Sequence, residues 1–169
     1  MPKLIKHREL VDDRWTLVKE ATDASILKAL PGRDLIVPFK FWQQFPAELA
    51  EHSGRVTIWL NSDEEVSAIG AGLHDFPLIA LNFPVFSDGR SYTNARELRE
   101  SLGYKGEIRA IGDVLRDQLY YMQRCGFDSF ALRFDQDAES CIAAFDDFKT
   151  GYQASIDQPL PLFRRRTTG

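Results

Sequence analysis

Residues 55–81 read RVTIWLNSDEEVSAIGAGLHDFPLIAL, and this stretch decides the fold class. Residues 55–60 form a short run of β-branched and aromatic residues, which strands favour. Residues 78–81 are entirely apolar, as expected of a parallel strand that is covered on both faces. The two runs therefore predict two strands of one parallel sheet.

The segment between these runs has the spacing of an amphipathic helix. Val66, Ile69 and Leu73 recur at intervals that place them on one helical face. Ser62 and Glu65, three residues apart, fit a capping box at the helix start. The stretch thus predicts one strand–helix–strand unit.

The same alternation extends in both directions, with further strand-like runs at residues 35–38, 108–111 and 129–132. About five βα units result, which indicates an α/β fold with a mostly parallel sheet and right-handed crossovers. Five units are too few for an eight-unit barrel, which takes about 250 residues. We expect an open three-layer sandwich, with a partial barrel as the alternative.

The 169 residues suit one domain. Residues 1–157 are predicted to form it, with the regular βα part at 35–150. Residues 1–34 are mixed, with a strand near 15–19 and a short helix near 25–30. Residues 158–169 contain two prolines and three consecutive arginines, and we expect them to be a basic tail.

Charge argues against a general nucleic-acid binder. The net charge is −4, and residues 1–163, before the three arginines, carry −7. No run approaches the roughly 18–20 apolar residues needed to cross a bilayer, and the N-terminal residues lack the apolar core of a signal peptide. We expect a cytoplasmic protein with no membrane partner.

No cofactor is expected from the motifs. Cys125 and Cys141 are far apart in sequence, without a CxxC motif or clustered histidines. The chain has no GxGxxG and no GxxxxGK[ST] fingerprint. Any redox chemistry would therefore come from a partner.

The loop at residues 83–93, FPVFSDGRSYT, is long for a βα connection and follows a strand, where α/β proteins bind ligands. A glycine and hydroxyl residues at a helix start offer backbone N–H groups, and Arg90 offers a guanidinium fork for sulfite, sulfate or phosphate. The alternative is an ordinary turn followed by an N-cap. The candidate anion-binding residues here are Asp88, Gly89, Arg90, Ser91 and Thr93.

Two charged residues near the fourth strand are further candidates. Arg109 lies inside an apolar run, where a charge needs a partner, and Glu107 or Asp88 could supply it. A structural pair and a functional, anion-binding cation remain alternatives for Arg109. Asp113 follows the same run and is the candidate general acid or base.

Four residues are candidates for a partner surface. Arg116 and Arg124 lie on the polar face of a predicted helix, although a simple solvated face with intrahelical pairs is the alternative. Phe39 and Trp42, at the end of the first strand, could form an apolar patch for another subunit, including a second copy.

Five segments together resemble a bacterial family of unknown function that is usually encoded beside assimilatory sulfite reductase. They are VPFKFW (37–42), DGR (88–90), GEIRA (106–110), GDVLRDQ (112–118) and RCGFDSF (124–130). The resemblance spans about residues 37–132. It implies a cytoplasmic role in reducing sulfite on the way to cysteine, and it assigns no catalytic residue.

Two main functions follow as hypotheses. The first is an accessory protein of sulfite reduction that acts with sulfite reductase or its electron donor. The second is a small self-sufficient enzyme that acts on an anionic metabolite at the DGR loop, with Asp113 as acid or base. A purely structural subunit or homodimer is a third reading.

Overall fold

The computed structural model describes residues 3–146. The strands of this part are β1 (Lys3–Lys6), β2 (Glu9–Asp12), β3 (Trp15–Leu17), β4 (Asp34–Pro38), β5 (Val56–Leu60), β6 (Leu78–Phe83), β7 (Glu107–Gly112) and β8 (Ser129–Phe130). The predicted tail at 158–169 and the end of the predicted βα part lie outside the described residues.

Helices connect most of the strands. The α-helices are α1 (Ser25–Ala29), α2 (Phe39–Gln44), α3 (Pro46–Ala50), α4 (Arg90–Arg96), α5 (Leu119–Cys125) and α6 (Ala138–Ala143). Val66–Asp75, Arg116–Gln118 and Ala144–Asp146 are 3₁₀ helices, and Glu97–Ser101 continues α4 as a π-helical segment.

One eight-stranded sheet contains these strands in the order β2-β1-β8-β7-β6-β5-β4-β3. Strands β3 to β8 pair in parallel, each beside the next in sequence. Strand β1 pairs antiparallel with both β2 and β8. The α/β class is confirmed, and parallel pairing holds for β3 to β8.

The β1–β2 hairpin was not predicted. Its two-residue turn, His7-Arg8, has φ of 51° and 65°, the backbone of a tight hairpin turn. Such turns usually carry Asn-Gly or Asp-Gly, so the sequence lacks the signal that marks them.

The sheet is strongly curled. Strands β2 and β3 are its two edges, yet only Asp13 and Arg14 connect them. A flat sheet of this size would separate its edges by about 34 Å, seven spacings of about 4.8 Å. The two linking residues can bridge only about 10 Å. The sheet therefore bends until its edges approach each other.

The two faces of the sheet are packed differently. On one face, strand residues such as Ile58 and Leu81 pack against helical residues such as Leu98 and Leu119. The other face, which we call the inner face, carries a cluster built from strand residues and Ala131 alone, without a helical residue among the part described. Its buried members are Ile36, Leu78, Ala80 and Ile111.

The connection after β5 differs from the prediction. Val66, Ile69 and Leu73 are buried as predicted, but they lie on a 3₁₀ helix that Gly70 interrupts with φ of 79°. The predicted capping box is wrong, because the N-cap residue of this helix is Glu65, not Ser62, and no side chain caps the helix there. A similar hydrogen bond forms one residue earlier in the chain, where the Asn61 N–H donates to Glu64 Oε1 at 2.8 Å.

Candidate functional site

An open cleft of about 760 Å³ lies at the carboxyl end of the sheet. Residues from β3, β5, β6, β7 and the segment after β8 line it. Strands β3 and β8 stand five places apart in the sheet, so only the curl brings both to one cleft. Ligands of parallel α/β proteins bind at this end of the strands.

The floor of the cleft depends on a glycine at the end of β7. Gly112 has φ of 89°, which favours glycine. A Cβ at this position would lie 2.4 Å from both Asn82 Oδ1 and the Phe83 carbonyl oxygen. The Asn82 amide is held from its other side, where Nδ2 donates to Asn61 Oδ1 at 3.0 Å. The close approach of β6 and β7 therefore fixes Asn82 in the cleft wall.

Asp113 lies in the cleft and joins two loops. Its Oδ2 accepts a hydrogen bond from the Phe86 N–H at 3.2 Å, and its Oδ1 lies 3.6 Å from Arg133 Nη1. The structure thus pairs Asp113 with Arg133. Arg133 also holds Asp135 in a two-point contact, at 2.7 and 2.8 Å, and this contact lowers the pKa of Asp135 to about 2.

The DGR loop forms a compact polar cluster of its own. Arg90 Nε and Nη2 donate to the two carboxylate oxygens of Asp88 at 3.1 and 2.8 Å. Ser62 Oγ donates to Asp88 Oδ2 at 2.6 Å and accepts from Arg90 Nη2 at 3.1 Å. The Arg90 and Ser62 hydrogen bonds hold the pKa of Asp88 well below its usual range.

This cluster bears on the anion-binding prediction. The guanidinium fork of Arg90 is engaged by Asp88, so its charge is balanced within the loop. The Ser91 hydroxyl is buried and donates to the Asn82 carbonyl at 2.7 Å. Gly89 and Thr93 are exposed beside it. Anion binding at this loop stays a prediction. An anion would have to compete with the Asp88 carboxylate for the guanidinium of Arg90.

The sequence placed Asn61 and Ser62 in a loop at the carboxyl end of a strand, but it assigned no site role to them or to Asn82. The predicted cap assigned Ser62 to its own helix, whereas its hydroxyl bonds to a loop 26 residues away. The sequence does contain an indication for Asn82, because it is the polar residue near the end of the otherwise apolar strand LIALNF.

Arg109 is buried on the inner face, with 3% of its surface exposed. It donates to Asp13 at 2.9 Å and to Glu107 at 2.9 and 3.2 Å, and Lys6 lies 2.6 Å from the other oxygen of Glu107. Burial favours the neutral form of Glu107, yet the Lys6 hydrogen bond and the charges of Arg109 and Lys6 hold its pKa below the usual value. Of the two predicted partners of Arg109, Glu107 is confirmed and Asp88 is wrong.

The predicted partner surface is only partly exposed. Phe39 is buried because it faces the helix-covered side of the sheet, and Arg124 is buried within α5 beside Tyr120. Expecting these two at the surface was wrong. Trp42 is half-buried against Phe76, with ring centroids 5.3 Å apart, and Arg116 donates to the Ser140 carbonyl at 3.1 Å.

Exposed apolar side chains lie instead on two loops beside the cleft. Phe86 is 55% exposed and Phe134 is 97% exposed, and Val85 is exposed beside Phe86. The two loops that carry them are tied together through Asp113, as described above. We call Val85, Phe86 and Phe134 the apolar rim.

Both cysteines are buried, and burial raises the pKa of the Cys125 and Cys141 thiols. Within residues 3–146, no group of three or more His, Cys, Asp and Glu side chains is placed to hold a metal ion. None of the helices in this range is long and apolar enough to span a bilayer.

Comparison with known proteins assigns the chain to a family. No curated protein and no solved structure matches it. A family model matches residues 57–163, which include β5 except its first residue, β6 to β8 and the whole DGR loop. The chain therefore belongs to the family described as "Bacterial protein of unknown function (DUF934)".

Proposed function

We propose that the protein is a cytoplasmic accessory protein of assimilatory sulfite reduction that acts with a partner redox enzyme, either sulfite reductase or its electron donor. The resemblance over residues 37–132 supplies the link to sulfite. The structural observation that carries action through a partner is the apolar rim beside the cleft.

The apolar rim has the character of a contact surface. Large apolar side chains on loop tips are costly to leave in water, and exposed apolar patches mark interaction sites. Phe86 and Phe134 come from different loops that Asp113 connects, through the Phe86 N–H and through Arg133. A partner enzyme that covers this surface would also cover the cleft.

The state of the cysteines also supports a partner. Sulfite reduction to sulfide takes six electrons, whereas two thiols can supply at most two. A thiolate is the reactive form of cysteine, and burial disfavours it at both Cys125 and Cys141. These thiols are therefore poorly suited to exchange electrons with a substrate.

Growth and capture experiments test the proposal together. A deletion strain should fail on sulfate and sulfite and grow on sulfide or cysteine, and the wild-type gene should restore growth. The double variant Phe86→Ser/Phe134→Ser should fail to restore it and should lose sulfite reductase or its electron donor in a pull-down. Leu10→Ser, which removes an exposed apolar residue on β2, is the matched control. Equal growth of the deletion strain on all four sulfur sources would refute the proposal.

A second candidate function is a self-sufficient enzyme that acts on an anionic metabolite, with Asp113 as general acid or base. The observation that favours it is the place of Asp113 in the cleft beside Arg133. Thermal shift against sulfite, sulfate, phosphate and phosphorylated metabolites should show stabilisation that Arg90→Ala abolishes if the DGR loop holds the anion. A response that survives Arg90→Ala and disappears in Arg133→Ala would place the anion in the cleft instead.

We also infer that the curled sheet is part of a barrel rather than the middle layer of a sandwich. Each parallel strand neighbours the next in sequence, and right-handed crossovers in that order place every connecting helix on one face. The strand-only cluster on the inner face supports this reading. A partial barrel has its ligand site at the carboxyl ends of its strands, where the cleft is found.

A further inference from the structure

The cleft combines an apolar lining with polar groups at its rim. Trp59 presents its indole from β5, and Ile111 and Ala131 continue the apolar surface. Phe134 stands at the mouth, almost fully exposed. A volume of about 760 Å³ suits an organic molecule of moderate size, and an inorganic oxyanion would fill only a small part of it.

Lys19 is the charged residue of this lining that favours an anion. Lys19 and Arg133 contribute two positive charges from opposite ends of the parallel strand order, and Asp113 contributes one negative charge. Arg133 is already engaged by Asp113 and Asp135. Lys19 is exposed, and no residue of the part that the structure describes forms an ion pair with it. Because Asp113 and Asp135 together balance Arg133, Lys19 is the cation of this lining that remains to meet a negative group.

The indole of Trp59 is held in place. Its Nε1–H donates to the Val18 carbonyl at 2.9 Å, which fixes the ring between β5 and the end of β3. A fixed aromatic surface favours a flat ligand body, since stacking on it costs little side-chain entropy.

We propose that this cleft binds a small planar aromatic anion, with its ring against Trp59 and its negative group toward Lys19. The inference goes beyond the proposed function, since it neither requires sulfite as the ligand nor depends on a partner enzyme. It also differs from the predicted anion site at the DGR loop, whose only arginine is paired with Asp88.

Calorimetry of the full chain with two matched probes tests the proposal. The probes are 2-naphthoate and its neutral analogue 2-naphthamide, which share one ring system and differ in charge. We expect saturable binding of 2-naphthoate, at least about fivefold tighter than that of 2-naphthamide, the factor that about 1 kcal/mol of charge interaction gives. The indole N–H resonance of Trp59, assigned with Trp59→Phe, should shift with 2-naphthoate and stay in place with inorganic sulfate.

Two variants locate the binding. Lys19→Gln should remove most of the preference for 2-naphthoate over 2-naphthamide, while Lys105→Gln, at another exposed lysine, should leave it unchanged. Ala131→Phe should fill the cleft and weaken 2-naphthoate at least about tenfold. Because Lys19 is exposed, we expect the Lys19→Gln variant to fold, so it tests the site even if Ala131→Phe impairs folding.

Three results would overturn the proposal. The first is no saturable binding of 2-naphthoate to the wild-type protein, and the second is equal affinity for the two probes. The third is unchanged binding by a folded Ala131→Phe variant, which would place the probe elsewhere on the surface.

Discussion

The guanidinium of Arg109 lies 2.9 Å from the carboxylate of Asp13, although three strands stand between β7 and β3 in the sheet. Asp13 belongs to the two-residue link that joins the edge strands. The contact therefore crosses the inner face, and the curl that shapes the cleft also closes this ion pair. Lys6 and Glu107 complete a cluster of two positive and two negative charges.

Removing Arg109 should be strongly destabilising. Arg109→Leu leaves Glu107 and Asp13 without their buried partner, and breaking such a pair costs about 3–5 kcal/mol. Arg55→Leu is the control, because Arg55 forms a similar pair with Asp34 but is 62% exposed, and it should cost about 1 kcal/mol or less. Urea denaturation monitored by circular dichroism measures both free energies of unfolding. Similar losses for the two variants would show that burial of the Arg109 cluster matters little.

Gly112→Ala should cost more stability than Gly103→Ala. Both glycines have positive φ, 89° and 67°, so each substitution carries about 1–2 kcal/mol of backbone strain. Only at Gly112 does the added Cβ also meet Asn82 Oδ1 and the Phe83 carbonyl, whereas the space around Gly103 is open. The difference in free energy of unfolding between the variants isolates this close approach. Equal losses would contradict it.

The two thiols should react slowly in the folded protein. Burial keeps Cys125 and Cys141 protonated and shielded, so Ellman's reagent at pH 8 should modify them at least about tenfold more slowly than in urea. The rate of absorbance increase gives both values. A fast phase in the folded protein would reveal an accessible thiolate and weaken the argument for a partner redox enzyme.

Alkaline pH should destabilise the protein partly through Tyr104. Its buried hydroxyl donates to the Phe76 carbonyl at 2.8 Å, and burial raises its pKa. Because the pKa is higher in the folded than in the unfolded chain, this contribution to stability is complete below about pH 10 and decreases as the pH rises above it. Burial likewise raises the pKa of Tyr92 to about 12.

Tyr104→Phe separates the two effects of that hydroxyl. The variant should be about 1 kcal/mol less stable at pH 7, because it loses a hydrogen bond. It should also lose less stability than the wild type between pH 9 and 11, since position 104 no longer titrates. Urea titrations at a series of pH values measure both. Parallel pH curves would contradict the assignment.

Asp88→Asn should make the DGR loop a better anion site. The substitution removes the carboxylate that engages the Arg90 fork but keeps a similar shape. Sulfate should then raise the melting temperature of the variant more than that of the wild type. Adding Arg90→Ala to the variant should abolish the gain, and a gain that persists would assign the anion to another site.

Local pattern was sufficient for the fold class. Strands β4 to β7 lie within a residue or two of the predicted runs, because apolar periodicity and turn residues are properties of neighbouring positions. The candidate site was predicted less completely than the fold class. The sequence placed Asp113 and the DGR loop at the carboxyl end of the sheet, but it did not reveal that Asp88 engages Arg90, and it assigned no site role to Ser62 and Asn82.

The sequence by itself determined an acidic α/β chain and the positions of the apolar runs that become strands β4 to β7. Only the tertiary structure decided the curl, the cleft and the partner of each charge. The physical reason is that these depend on side chains far apart in the chain, such as Asp13 and Arg109, which are 96 positions apart. An arginine acts as a structural cation where the fold places a carboxylate within hydrogen-bonding distance of it, and as a ligand-binding cation where it does not. The packing of distant segments decides between the two.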